Sequence, residues 1–381
     1  MGLLQEQAYT LWTNYREQGL KMAYNYAVFR SFYGVHSRPV AWLLNRFAPY
    51  PPYIEVEITT ACDLRCTMCE HTYWEEPSVM MPYEKLVHIL DEFPKLRWAD
   101  FTGIGESFLH PRYMDMVREA KRRGIYYEIY DAMHRCTPEI SDELVRIGLN
   151  RIQPSIDGCT KETYENIRVK AKWEEVYANL QGLHRAKDKY NKKLPEVSYH
   201  FIVQKQNAPE MGDYVKMVRE LAGKQTVTVQ FTELLKEFPD IIGQKYDVVD
   251  EERDQINEIG KQQKVHIRWN RKMQREKVPA QKCTLWHQPF IFVDGSVIRC
   301  CTSNEHNERD RQRKNALGNI FEQSFQQIWY GERYRGLRKA LRKGDMFDDG
   351  CADCPTFACK REEAPPAPEV KVDEPTVTAP V

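Results

Sequence analysis

The sequence predicts an α/β fold: a partial (β/α)6 TIM-like barrel over residues 51–245, then a small cysteine-rich domain over 281–360. Two observations predict it. Short β-rich runs at 54–59, 98–102, 126–130, 151–155, 197–203 and 226–232 alternate with helical stretches at 82–93, 113–123, 141–147, 173–189 and 211–221. Such alternation predicts parallel strands joined by crossover helices, and six units suit an open barrel better than a closed eightfold one. The ligand site then belongs at the strands' C-terminal ends. The second observation is the thiols: six of the eleven cysteines lie between 283 and 359, and three more crowd into 62–69.

Residues 1–50 read as an amphipathic helical segment ahead of the barrel. Leu4, Ala8, Leu11, Trp12 and Tyr15, then Met22, Tyr26, Phe29 and Tyr33, recur at helical spacing, with Gly19 and Gly34 as interruptions. Either this is a helical pair packed on the main domain, or it is a surface that rests on a membrane or admits a greasy substrate. Within a linking segment, 246–280, residues 247–263 read as a connecting helix and 265–269 as a further strand. Prolines and acids dominate 361–381, which predicts a disordered tail.

Composition narrows the function classes. Lys+Arg and Asp+Glu are equal at 55 each, so no net charge draws the chain to nucleic acid. The cysteine count is odd, and residues 1–15 lack a basic start followed by an apolar run. No stretch approaches the ~20 apolar residues of a membrane span. A secreted disulfide scaffold is therefore a poor reading, and clustered thiols in a chain of cytoplasmic type favour metal. A cytoplasmic location is expected, with peripheral membrane contact through residues 1–50 as its variant.

The first thiol cluster is Cys62-Asp63-Leu64-Arg65-Cys66-Thr67-Met68-Cys69, just past the first predicted strand. A loop this short can wrap its thiolates round one cubane. A [4Fe–4S] cluster normally takes four cysteines, so three leave one iron open to a ligand. Zinc is the alternative, with His71 as a fourth ligand. Thr102-Gly103-Ile104-Gly105-Glu106 follows the second strand, and Pro154-Ser155-Ile156-Asp157-Gly158 follows the fourth, with Tyr164, Ile167 and Arg168 beyond. Glycines let the main chain approach a ligand, a carboxylate suits an ammonium, and Arg168 suits a carboxylate. Taken singly, each motif is equally a tight turn or a solvated helix residue.

The second cluster begins at Cys283. Asp294-Gly295 between β-rich runs signals a hairpin, which returns Cys300 beside Cys283. Cys351 and Cys354 follow, two residues apart, after Leu317-Gly318-Asn319-Ile320 and Trp329. Four thiols on a hairpin and a knuckle can close a tetrahedral S4 site, holding zinc or iron–sulfur.

Together these motifs resemble the radical S-adenosylmethionine (SAM) superfamily over residues 53–360, with a SPASM/Twitch-type auxiliary domain. The resemblance implies a [4Fe–4S] cluster with an open iron on Cys62, Cys66 and Cys69, chelating S-adenosylmethionine. Gly103, Gly105 and Glu106 then serve its amino group, Ser155 and Arg168 its carboxylate end, and Asp157 the turn or the ribose. It further implies an auxiliary iron–sulfur cluster, of [4Fe–4S] type, on Cys283, Cys300, Cys351 and Cys354, leaving Cys301 and Cys359 over, each either free or able to exchange as a ligand. The chemistry so implied is that of a radical SAM oxidoreductase. A 5′-deoxyadenosyl radical abstracts hydrogen from an unactivated C–H bond, the auxiliary cluster takes the second electron, and a flavodoxin- or ferredoxin-like protein is the donor.

The expected substrate is a small molecule, lipid-like or pigment-like in view of the aromatic segment 1–50. The rival is a maturase acting on peptide or protein side chains, and a zinc-binding or electron-carrier protein on the same scaffold is the reading from another class. Arg309, Arg311, Arg313 and Lys314 read as a solvated loop or as a lid over an anionic substrate. Tyr126, Tyr130, His134, Cys136 and His200 are candidates to face the cavity; Cys136 and Cys159 are either hydrogen-atom donors, as in some members of the family, or inert packing, and none of these residues is assigned a catalytic role.

Overall fold

The computed structural model describes residues 3–32, 37–234, 236–270, 277–301, 309–352, 354 and 356–359. The predicted tail, Tyr33 and Gly34 lie outside the described residues.

Seven parallel strands follow chain order: β1 (Tyr53–Val56), β2 (Trp98–Asp100), β3 (Tyr126–Asp131), β4 (Arg151–Pro154), β5 (Glu196–Val203), β6 (Val227–Glu233) and β7 (His266–Trp269). Each new strand adds at the same edge, as in a barrel wall. The seventh is the strand expected in the linking segment, and it continues the wall past the six units counted from sequence. Beyond β8 (Val278–Pro279), β9 (Phe290–Ile291) lies parallel to the free side of β1. β10 (Ser296–Ile298) and β11 (Gly318–Asn319) then continue antiparallel, so the cysteine-rich hairpin extends the barrel sheet itself. A short β12 (Phe357–Ala358) pairs with β8.

Helices cover the outer face: α4 (Tyr83–Asp91), α5 (Tyr113–Arg122), α6 (Pro138–Arg146), α7 (Lys161–Ile167), α8 (Trp173–Lys189), α9 (Met211–Ala222) and α10 (Asp250–Gln263). Ahead of the barrel stand α1 (Leu3–Gln18), α2 (Leu20–Phe32) and α3 (Arg38–Phe47). After it come α11 (Arg309–Asn315), α12 (Phe325–Trp329), α13 (Glu332–Lys343) and α14 (Asp349–Ala352). Strand residues of one parity, including Ile54, Val56, Ala99, Tyr127, Ile129 and Ile152, enter one large core. Those of the other parity form rungs: Tyr53, Trp98 and Tyr126, then Glu55, Asp100 and Glu128. Side chains alternate along a strand, so the second set lines the lumen, and that lumen is charged.

The helical segment 1–50 is largely a plug. Met22, Tyr26 and Phe29 of α2 join Tyr53, Trp98 and Tyr126, with the Phe29 ring 3.8 Å from Trp98. Burying one such aromatic contributes about 1.5–3 kcal/mol. This is the packed-pair reading of that segment, although Trp12, Leu20, Trp42 and Phe47 stay exposed. No helix among the described residues is long and apolar enough to cross a membrane.

Candidate active site

The first thiol loop is built by its neighbours. The Cys69 amide donates to the Cys66 carbonyl at 3.0 Å, and the Thr72 hydroxyl to the same carbonyl at 2.7 Å, curling the chain. The Arg65 amide to Val169 O (2.9 Å) and the Thr67 amide to Ile167 O (3.0 Å) pin it to the end of α7. There Arg168 turns back. Its Nε donates to Asp157 Oδ2 at 2.7 Å, and its Nη1 lies 3.9 Å from Cys66 Sγ. Asp157 is fully buried; its other oxygen accepts from the Ile202 amide at 2.7 Å. Both carboxylate oxygens of Asp157 thus accept hydrogen bonds from within the protein.

The glycine loop seats against the cysteine loop. A Cβ on Gly105 would stand 2.5 Å from Thr59 O and 2.7 Å from Ala61 O, backbone atoms with no room to yield. The Glu106 amide donates to that same Ala61 carbonyl at 2.7 Å. On Gly103 a Cβ would meet Glu57 Cγ at 2.3 Å. Gly103 and Ile104 line a cavity of about 340 Å³, together with Met68, Cys69, Glu70, Arg168, His200, Ile202, Thr232 and Lys236. A wider cleft of about 1190 Å³, bounded by α9, α10 and β7, contains none of the predicted site residues.

The remaining predicted residues stand behind this cavity. Ser155 pairs in register with His200, whose Nε2 lies 2.7 Å from the Thr232 hydroxyl. The Glu106 carboxyl is buried beside Asp131 and lies 3.7 Å from His134 Nδ1. Burial, then the Asp131 carboxylate, push it well above the usual carboxylate range. His134 Nε2 lies 2.7 Å from Asp63, which ties the β3 loop to the cysteine loop. His71, the possible zinc ligand, sets its Nδ1 3.1 Å from Arg65. Tyr126 belongs to the aromatic floor, Tyr130 to a small lower cavity, Cys136 to the core, and Cys159 to a contact with Glu210.

The second thiol group also assembles. Cys283, Cys300, Cys351 and Cys354 line one small cavity of about 30 Å³ with Trp286, Leu337, Leu341 and Arg299. Gly295, at φ +86°, makes the hairpin turn that returns Cys300. Cys359, left over in the sequence, lines the same cavity, its sulfur 3.5 Å from Cys351 O. Cys301 packs instead on Phe290, Phe292 and Ile298. Arg299 pairs with Asp348, and its Nη2 is buried without a hydrogen-bond partner among the described residues.

Both thiol groups suit an iron–sulfur cluster. Burial pushes Cys62 and Cys69 up to about 12, and Cys66 and Cys283 upward as well. Thiolates at these places need a compensating cation, which cluster iron supplies. Arg168 and Arg299 add fixed positive charge beside the sulfurs. Among the described residues, no three Cys, His, Asp or Glu side chains close tightly enough to hold a single metal ion.

An open parallel barrel with three thiols at the rim of its first strand defines an iron–sulfur enzyme of the radical SAM type. The Radical SAM superfamily model matches residues 56–232, and the iron–sulfur cluster-binding domain SPASM matches 283–355. The chain is a radical SAM superfamily enzyme with a SPASM domain. As such it uses a [4Fe–4S] cluster and S-adenosylmethionine, with auxiliary iron–sulfur in the second domain.

The tungsten-containing aldehyde ferredoxin oxidoreductase cofactor-modifying protein of Pyrococcus furiosus is 27% identical over 320 residues, covering 79% of this chain and 86% of that protein. The mycofactocin maturase MftC of Mycobacterium tuberculosis is 22% identical over 201 residues, 51% of this chain and 49% of its own. Among solved structures, Streptococcus suis SuiB bound to its precursor peptide SuiA superposes with TM-score 0.61 at 13% identity, covering 84% and 78% of the two chains. That likeness is one of fold.

Sequence reasoning did not single out Glu57, Thr232 or Arg299, and it placed Arg309 in a solvated loop or a lid. Arg309 is instead buried on Glu57, and Arg313 grips Glu76 at 2.9 and 3.0 Å. The signal for Glu57 was present: a strand otherwise apolar carries Glu55 and Glu57 at lumen spacing.

Proposed function

We propose that the chain is a radical SAM maturase, acting on a C–H bond of a peptide or of a cofactor under assembly. The observation that carries this is the convergence of the thiol loop, the Gly103–Ile104 backbone and Arg168 on one cavity. In this reading Cys62, Cys66 and Cys69 hold the open-iron cluster, and Cys283, Cys300, Cys351 and Cys354 the auxiliary one. When bound, cluster and SAM together supply the 5′-deoxyadenosyl radical by reductive cleavage. Arg168, aimed by Asp157, binds the cofactor's carboxylate, and the Gly103–Ile104 backbone lies against the cofactor. Gly105 seats the loops on each other, while Ser155 and Glu106 brace the cavity wall. The auxiliary thiols, sealed by Trp286, Leu337 and Leu341, keep water from a site suited to take up the second electron.

The names of the relatives support a maturase: one modifies a cofactor, one is a mycofactocin maturase, and SuiB holds a precursor peptide. A lipid-like or pigment-like substrate finds no support in the names of these relatives. The test offers the reconstituted enzyme deuterated candidate substrates of peptide, cofactor and small-molecule classes. Deuterium recovered in 5′-deoxyadenosine from a peptide or cofactor supports the proposal; transfer only from a greasy small molecule contradicts it.

A further inference from the structure

Glu57 is fully buried just past β1, and three segments meet on its carboxylate. Oε2 accepts from the Ile104 amide at 3.4 Å, and Oε1 from the Val293 amide at 3.3 Å and from Arg309 Nη2 at 2.7 Å. The first segment is the glycine loop that lines the cavity. Gly103 lies so tightly on the Glu57 side chain that an added Cβ would stand 2.3 Å from its Cγ. The second is the hairpin that carries Cys300, and the third is α11 of the auxiliary domain.

Arg309 is only 6% exposed, with its guanidinium 4.3 Å from the Phe292 ring centre and 5.0 Å from that of Trp74. Two charges taken this far from water persist only when they hold each other, and Arg309 Nη1 is still buried without a hydrogen-bond partner among the described residues. Such a pair is an expensive way to fasten two surfaces that apolar contacts alone would join. It does something apolar contacts cannot: it holds one amide, Ile104 N, of the loop that lines the cavity.

We propose that Glu57 and Arg309 are a positioning pair, through which the docked auxiliary domain sets the glycine loop for SAM. This rests on the reading of the cavity as the SAM site. By linkage the effect is reciprocal: SAM at the loop must also tighten α11.

The test uses the full chain, anaerobically reconstituted, with SAM affinity and amide hydrogen exchange as readouts beside iron content. Arg309→Met is expected to weaken SAM about tenfold, within the usual range of coupling between sites. It should keep its iron and exchange faster at 101–106. In wild type, SAM should slow exchange at 309–315, and in Arg309→Met it should not. Arg313→Gln, which cuts an exposed contact of the same helix, should leave SAM affinity near wild type. If Arg309→Met does not fold, Glu57→Gln/Arg309→Met removes both charges at once and is expected to show the same loss. Unchanged SAM affinity in these variants overturns the inference, as does an Arg313→Gln defect of equal size or the absence of any SAM effect on 309–315. A wild-type chain that retains iron yet binds no SAM overturns the reading of the cavity, and this inference with it.

Discussion

Arg168 and Asp157 show how one side chain at the site depends on another. Arg168 meets the cavity and Cys66, yet its direction is set by a carboxylate that touches neither. Asp157→Asn would leave the guanidinium buried beside a neutral amide, at a cost of about 3–5 kcal/mol if the pair is simply broken. The expected result is a lower denaturation midpoint together with weaker SAM binding, whereas a midpoint loss alone would confine Asp157 to the fold. The thiols and Arg168 were legible in the sequence because their spacing is local. Glu57 and Arg299 were not, since each gains its meaning from a partner far along the chain: Arg309 for Glu57 and Asp348 for Arg299.

Between elements, two buried histidines act as joints. His184 of α8 lies 2.7 Å from both the Tyr199 hydroxyl of β5 and Gln225 Oε1, and His287 Nε2 lies 2.9 Å from the Pro49 carbonyl. Burial pushes both down to about 4, against about 6.5 for an unfolded histidine. Between those values the unfolded chain binds the protons and the folded one does not. Their stabilisation is therefore complete above pH 6.5 and is lost as pH falls towards 4, at most about 3 kcal/mol each. Urea midpoints at pH 7.5 and 5 check this: His184→Gln should start lower and fall less between the two, and an equal fall would contradict it. At this scale the alternation of strands and helices was readable along the chain, because each unit buries its own stripe. The plugging of the lumen by α2, the addition of β9 to β1 and the burial of Arg309 all depend on pairings between residues far apart along the chain. Composition carries no trace of those.

For the molecule as a whole, one sheet carries both thiol sites, the first at the rim of β1 and the second on the hairpin that extends it. Two cubanes imply about eight irons per chain. Cys283→Ala should halve that count and leave the first cluster in place, while loss of all iron would mean the sites do not load separately. The central claim is that Cys62, Cys66 and Cys69 arm a SAM-cleaving centre. It is tested most directly by giving the anaerobically reconstituted chain SAM and a strong reductant, then measuring 5′-deoxyadenosine. The account predicts 5′-deoxyadenosine and methionine from the wild type and background levels from Cys66→Ala; an iron-loaded wild type that releases neither contradicts it.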